Sequence, residues 1–251
     1  MKIFITGGTS GIGQELAKRY LQRGDEVGIC GRDLQKVELP HDAAGLYMYQ
    51  LDVYDRTALD KAVREFCKGD GLDLMIIAAG TYTESIIHRL SYKESTDMLR
   101  VNIVGTLNAF EVAREVMGTE RQGHIAAIAS VSALLDYPQS SLYSKTKRTV
   151  LQLCDAYRMA LKDFGISVTA IAPGYVDTPK LRELNGGDLS RKPFVVSCEY
   201  AAGVIMEAID KKKELTVFPP KMKRLIYCLS VFPDGIVKYI MQKKAQWSQT
   251  R

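Results

Sequence analysis

The sequence predicts an α/β protein: one doubly wound domain, with a parallel sheet of about seven strands and helices on both faces. Three observations carry that expectation. Seven short apolar runs alternate with five longer amphipathic ones along the 251 residues. Several of the short runs are apolar almost throughout, as strands buried on both faces must be. No repeat, low-complexity stretch or linker breaks the alternation. Strand–helix alternation of this kind builds right-handed βαβ units, and their helices cover both faces of the sheet.

The elements follow in order. "KIFIT" (2–6) is a buried strand, and "TGGTSGIG" (6–13) turns the chain into a helix over 11–23. Gly7, Gly11 and Gly13 allow a tight turn and let backbone N–H groups meet a pyrophosphate at the helix N-terminus. "EVGIC" (26–30) and "LYMYQLDV" (46–53) are the next strands, and a helix covers 56–67. "LDLMIIAAG" (72–80) follows as the fourth strand. "SYKE" (91–94) fits a capping box, Ser91 as N-cap and Glu94 reaching back, and opens a long helix over 91–117. "HIAAIAS" (124–130) leads to a helix over 140–164, "ISVTAIAP" (166–173) to one over 198–212, and "LTVFP" (215–219) closes the sheet. Ligand crevices of such sheets lie at the carboxyl ends of the strands, where the unusual residues fall.

"SLYSKTKRTV" (141–150) sets Tyr143 four residues before Lys147, so both project from one helix face. A free phenol titrates near ~10 and is a poor acid or base at neutral pH. A neighbouring ammonium favours the phenolate and pulls that value down.

Composition excludes other classes. Hydrophobic content of 46% with 25% charged residues fits a globular chain rather than a disordered one. The five cysteines, Cys30, Cys67, Cys154, Cys198 and Cys228, are scattered and form no C-x-x-C pair, as reduced thiols in a cytoplasmic setting would. Three isolated histidines suggest no metal site. "MKIFITGG" breaks at its glycines before it could serve as a signal peptide, and no apolar run is long enough to span a bilayer. The expected location is cytoplasmic, with peripheral membrane contact left open.

The ordered set "TGGTSGIG", "LDV" (51–53), "AAG" (78–80), Asn102 in "RVNIVGT", Ser130 in "IASVS", the Tyr143/Lys147 pair and "PGYVDTP" (173–179) resembles the classical short-chain dehydrogenase/reductase family, over about residues 1–219. The resemblance implies a Rossmann-type catalytic domain over 1–219; residues 220–251 lie beyond it and read as a basic amphipathic helical extension. The resemblance also implies reversible hydride transfer between a nicotinamide and a ketone, aldehyde or alcohol. Tyr143 would supply or accept the proton, Lys147 would lower the phenol pKa and hold the ribose hydroxyls, and Ser130 would hydrogen-bond the substrate oxygen. Asn102 would help maintain a water-linked proton path behind the lysine. Ser132 is a rival to Ser130, which stands at the usual spacing before the tyrosine. Dinucleotide contacts would come from Gly7, Thr9, Ser10, Gly11, Ile12 and Gly13; from Asp52 and Val53 at the adenine; from Ala79 and Gly80; from Tyr143 and Lys147; and from Pro173, Gly174, Val176 and Thr178, with Thr178 on the carboxamide. Ile77-Ala78-Ala79-Gly80 departs from the family's Asn-Asn-Ala-Gly, and the missing amides would otherwise stiffen the central sheet.

"CGRDL" (30–34) bears on the cofactor. Asp33 stands at the distance expected of a ribose-binding carboxylate. The resemblance instead aligns Gly31 with the discriminating acid, and Arg32 with the residue that pairs with a 2′-phosphate, which a guanidinium can grip bidentately. NADP(H) is therefore expected over NAD(H).

Residues after Thr178, "PKLRELNGGDLSRKPFVVS", look like a lid over the nicotinamide. The formal charge of +5 is uneven: residues 211–251 carry ten Lys and Arg against Glu214 and Asp234, a local +8. Within 220–251, two short helices are expected about Pro233, with Asp234 as N-cap. Ile236, Val237, Ile240 and Met241 form one apolar face, away from Lys238, Gln242 and Lys243. That face either packs on the domain or a partner subunit, or makes a membrane-surface element over 221–247 with Trp247 at the interface and an apolar substrate. No nucleic-acid recognition module accompanies the charge. The family is usually oligomeric through helices matching 91–117 and 140–164, so a homodimer or homotetramer is expected. A second reading is a catalytically idle nucleotide-binding sensor or scaffold acting through the basic tail; such a protein would have no need of Ser130, Tyr143 and Lys147 together.

Overall fold

The computed structural model describes residues 1–83, 90–118, 122–135, 140–233 and 235–240. Seven strands, β1 (Lys2–Thr6), β2 (Glu26–Gly31), β3 (Leu46–Gln50), β4 (Leu74–Ile77), β5 (Gly123–Ile128), β6 (Ile166–Pro173) and β7 (Leu215–Phe218), form one sheet in the order β3-β2-β1-β4-β5-β6-β7. Every neighbouring pair is parallel. Alternation along β1 explains both layers: Ile3 and Ile5 face one side, Phe4 the other, and all three are fully buried.

On the Phe4 side lie α2 (Arg56–Cys67), α4 (Thr106–Met117) and α5 (Leu142–Leu161). On the Ile3 side lie α1 (Gly11–Gln22) and α7 (Cys198–Asp210). α3 (Tyr92–Leu99), α6 (Pro179–Leu184) and α8 (Pro220–Ser230) complete the helices. α3 carries the expected capping box between Ser91 and Glu94. The strand order turns back between β1 and β4, which opens the crevice at their carboxyl ends.

Two expectations are corrected. The third strand stops at Gln50, where its partner β2 ends at Gly31, so Leu51, Asp52 and Val53 lie in a loop. The long helix over 91–117 is interrupted: Arg100–Gly105 is a π-helical stretch between α3 and α4. The segment after Thr178 begins with a helical turn, α6, capped by the Thr178 hydroxyl.

The 220–251 region begins with α8, whose Met222 is buried. Residues 235–240 are helical, and Val237 there is buried while Ile236 and Ile240 are exposed. Asp234, the expected N-cap, lies outside the described residues, as do Met241, Gln242, Lys243 and Trp247. Among the described residues no helix is long and apolar enough to cross a membrane.

Candidate active site

The loop after β1 is built by glycines that nothing larger could replace. Gly7 has φ +70, and a Cβ there would stand 2.7 Å from the Ala79 backbone. A Cβ on Gly13 would fall 2.3 Å from the Gly7 carbonyl oxygen. Ser10 caps α1 in an extended conformation without a side-chain hydrogen bond, so no cap from that residue covers the first-turn N–H groups. An open helix start with the backbone drawn this close is a cradle suited to a phosphate. Thr9 packs on Gly31, and Ile12 lies partly against the core. Gly11, at φ +53, approaches the Thr178 side chain, so the glycine loop meets the loop after β6.

At the end of β2 the two candidate discriminating residues differ in commitment. The Asp33 carboxylate accepts the Gln35 N–H at 3.0 Å and pairs with Lys36 at 3.6 Å, closing its own turn. Arg32 is exposed, and its carbonyl accepts from the Gln50 amide. No carboxylate could grow from Gly31 without displacing Thr9, whose Oγ1 would be 2.5 Å from the new Cβ.

Asp52 and Val53 sit beyond β3, held by a residue that sequence reasoning missed. Asn108, buried on α4, donates its amide to the carbonyls of Val53 and Tyr54. Gly105 was also missed: a Cβ there would be 2.4 Å from Val53 Cγ2. The only signals were a polar residue and a small one on an otherwise apolar helix face.

The remaining residues converge past β4 and β5. Asn102, within the π-helical stretch, is fully buried. Its oxygen accepts the Thr81 N–H at 2.8 Å, and its amide donates to the Thr81 carbonyl and to Thr146 Oγ1. Those bonds clamp the loop after β4 to α5. Thr6 partly substitutes for the missing amides of the Ile77–Gly80 segment: its carbonyl accepts the Ala78 N–H, and its hydroxyl the Ala79 N–H at 3.4 Å. Gly80 faces Lys147, whose Nζ would be 3.1 Å from a Cβ on it.

α5 starts at Ser141, whose hydroxyl accepts the Ser144 N–H, and so presents Tyr143 and Lys147 to the crevice. Lys147 is buried, and its ammonium donates to the Ile128 carbonyl at 2.9 Å. Burial draws its pKa down to about 8. The phenol of Tyr143 is hydrogen-bonded to Ser130, with Tyr175 nearby, and the Tyr82 ring meets it edge-on at 4.7 Å. Burial pushes that phenol up to about 12; the Ser130 bond pulls the other way but is outweighed. The two serines are ordered. Ser132 donates its hydroxyl and its N–H to Ser130 Oγ, so Ser130 stands at the phenol and Ser132 behind it.

After β6, Pro173 and Gly174 are fixed from outside the crevice. Gly174 N–H donates to the Phe218 carbonyl at 2.7 Å, and Met222 of α8 packs against it. Val176 is buried in the core on the α1 and α7 side and bridges to Val196. Thr178 Oγ1 accepts the Leu181 N–H, which leaves its hydroxyl proton to donate elsewhere. Arg182 pairs with Asp177 through two 2.6 Å bonds, tying α6 to the same loop. Among the described residues no cluster of His, Cys, Asp and Glu could hold a metal ion.

The short chain dehydrogenase family matches residues 1–188. Dehydrogenase/reductase SDR family member 7B of Mus musculus is 27% identical over 97% of this chain and 81% of its own. An uncharacterised oxidoreductase of Staphylococcus aureus is 31% identical over 73% of this chain and 81% of its own. A short chain dehydrogenase of Burkholderia cenocepacia, solved in complex with NADP, has the same fold, with a TM-score of 0.79 at 18% identity over 94% of each chain. With the glycine loop and the Ser130, Tyr143 and Lys147 cluster in place, the chain belongs to the short-chain dehydrogenase/reductase family and is an oxidoreductase of that class.

Proposed function

We propose that this chain is an NADP(H)-dependent oxidoreductase that interconverts a ketone or aldehyde with an alcohol, Tyr143 acting as the general acid or base. The observation that carries the reading is one hydrogen-bonded line, Ser132 to Ser130 to Tyr143, beside a buried Lys147 at the end of the phosphate cradle. When bound, the dinucleotide supplies or receives the hydride at the substrate carbon. Ser130 holds the substrate oxygen, and the Tyr143 hydroxyl gives it a proton in the reductive direction. A phenol pushed up to about 12 is protonated at neutral pH, which is the form a proton donor needs. Lys147 lies beside Gly80, where it can meet ribose hydroxyls. Tyr82, next to the Tyr143 ring, borders the substrate space.

Arg32 supports NADP(H): it is exposed at the β2 end, whereas Asp33 is occupied by its own turn. The assembly we propose is a homodimer or homotetramer, for which exposed Val104 in the π-helical stretch, Leu107 at the start of α4 and Met159 on α5 offer apolar contacts. Parallel fluorescence titrations with NADPH and NADH test the cofactor. NADPH is expected to bind more tightly, and Arg32→Ala to weaken it by about 10- to 100-fold, as loss of charge-assisted bonds worth ~1.5–3 kcal/mol would. NADH affinity should hardly change. An Arg32→Ala protein with unaltered NADPH affinity would refute the assignment.

A further inference from the structure

We infer that α8 and the helical residues 235–240 form a docking surface for an anionic lipid bilayer. Met222, Ile226 and Leu229 lie on the less exposed face of α8, which packs toward β7 and the Val131–Ala133 turn. What remains outward is apolar and basic together. Tyr227 is 73% exposed, Val231 70%, and Phe232 and Ile236 46% each. Lys221, Lys223 and Arg224 stand among them, and none of the three pairs with an acid among the described residues. Arg56, Arg64, Arg114, Arg158, Arg182 and Lys211, by contrast, each hold a carboxylate. Pro220, Lys223, Arg224, Tyr227 and Cys228 line one shallow groove, cations beside an aromatic ring.

Charge selects the occupant. Residues 215–233 contain no acid, and the sequence from 211 onward carries +8 while the first 210 residues sum to −3. A second copy meeting this face through a two-fold axis would set the same cations against each other. Nucleic acid would satisfy the cations but leave the exposed Val231, Phe232 and Ile236 in water. An anionic membrane satisfies both, phosphate at the lysines and acyl chains at the apolar side chains. The surface adjoins the crevice, because Met222 packs on Gly174 and α8 reaches the turn that follows Ser130. An apolar substrate held in the bilayer would thus meet the enzyme at its substrate end. The docking itself does not rest on the redox reading.

Co-sedimentation of the full chain with vesicles of phosphatidylcholine, alone or with phosphatidylserine, tests it. Binding is expected only with phosphatidylserine, and weaker at raised salt. A Lys221→Glu, Lys223→Glu, Arg224→Glu protein should bind about a hundredfold more weakly. Phe232→Ser with Ile236→Ser should also lose binding. NADPH affinity and the melting curve should stay unchanged in both variants, which separates docking from folding and from the crevice. A chain that stays in solution with phosphatidylserine vesicles would overturn the proposal. So would charge-reversed protein that binds as well as the parent, or a Phe232→Ser, Ile236→Ser protein that turns from dimer to monomer while neither form binds lipid.

Discussion

Ser130 and Ser132 stand two residues apart, and their hydrogen bonds give them different work. Ser130 meets the Tyr143 phenol, whereas Ser132 donates to Ser130 from behind. On the proposed mechanism Ser130 donates to the reacting oxygen, and removing such a donor is worth on the order of a hundredfold in kcat. Ser130→Ala should show that loss at saturating dinucleotide, and Ser132→Ala a smaller one. The reverse order would reassign the roles. Spacing in the sequence made Ser130 the better choice over its neighbour, and the hydrogen bonds place Ser130 nearer the phenol. Sequence could not show the phenol's state. The i, i+4 spacing of Tyr143 and Lys147 argued for a lowered phenol pKa, whereas desolvation of the phenol acts in the raising direction and Lys147 donates to the Ile128 carbonyl.

Helix α4 and the π-helical stretch before it show what a single extra residue per turn achieves. The wider turn carries Asn102 to both Thr81 and Thr146, while Gly105 and Asn108 hold the Val53 loop. Gly105→Ala would gain helix propensity worth ~1 kcal/mol. It would also force a Cβ to 2.4 Å from Val53 Cγ2, and relieving such overpacking costs about 1–3 kcal/mol. The clash should win: a lower melting temperature and weaker NADPH binding are expected, and unchanged values of both would refute the tight contact. The strands were legible because strands buried on both faces are apolar in sequence too. Their ends were not, since β3 stops where β2 stops and the apolar run goes on to Val53. The π-helical break was hidden for a related reason: the helical pattern runs through it without a proline, and its one glycine, Gly105, did not mark the change.

At the scale of the whole molecule, the sheet carries its own acid sensitivity. His124 on β5 is buried, with its Nε2 2.8 Å from Thr169 Oγ1 on β6. Burial, helped by Lys212, draws its pKa from 6.5 down to about 4, with Asp210 opposing weakly. Between those values the unfolded chain binds a proton that the folded chain refuses, so stability falls as pH drops from about 6.5 toward 4. The loss from this group should approach about 3 kcal/mol at the acid end. Urea unfolding of the parent and His124→Gln at several pH values should show a shallower acid slope in the variant; equal slopes would assign the effect elsewhere. Most of the architecture was readable from residue patterns, but the seating of α8 beside Gly174 was not, because one methionine in a basic segment gives no sign of where it packs. The central claim is that Tyr143 delivers the proton in an NADPH-dependent reduction. Its most direct test is NADPH consumption across a panel of ketones and aldehydes by the parent and by Tyr143→Phe, with NADPH affinity measured for both. Turnover by the parent and at least a ~100-fold loss in the variant, at equal NADPH affinity, are predicted. A variant that turns over at the parent's rate would contradict the account.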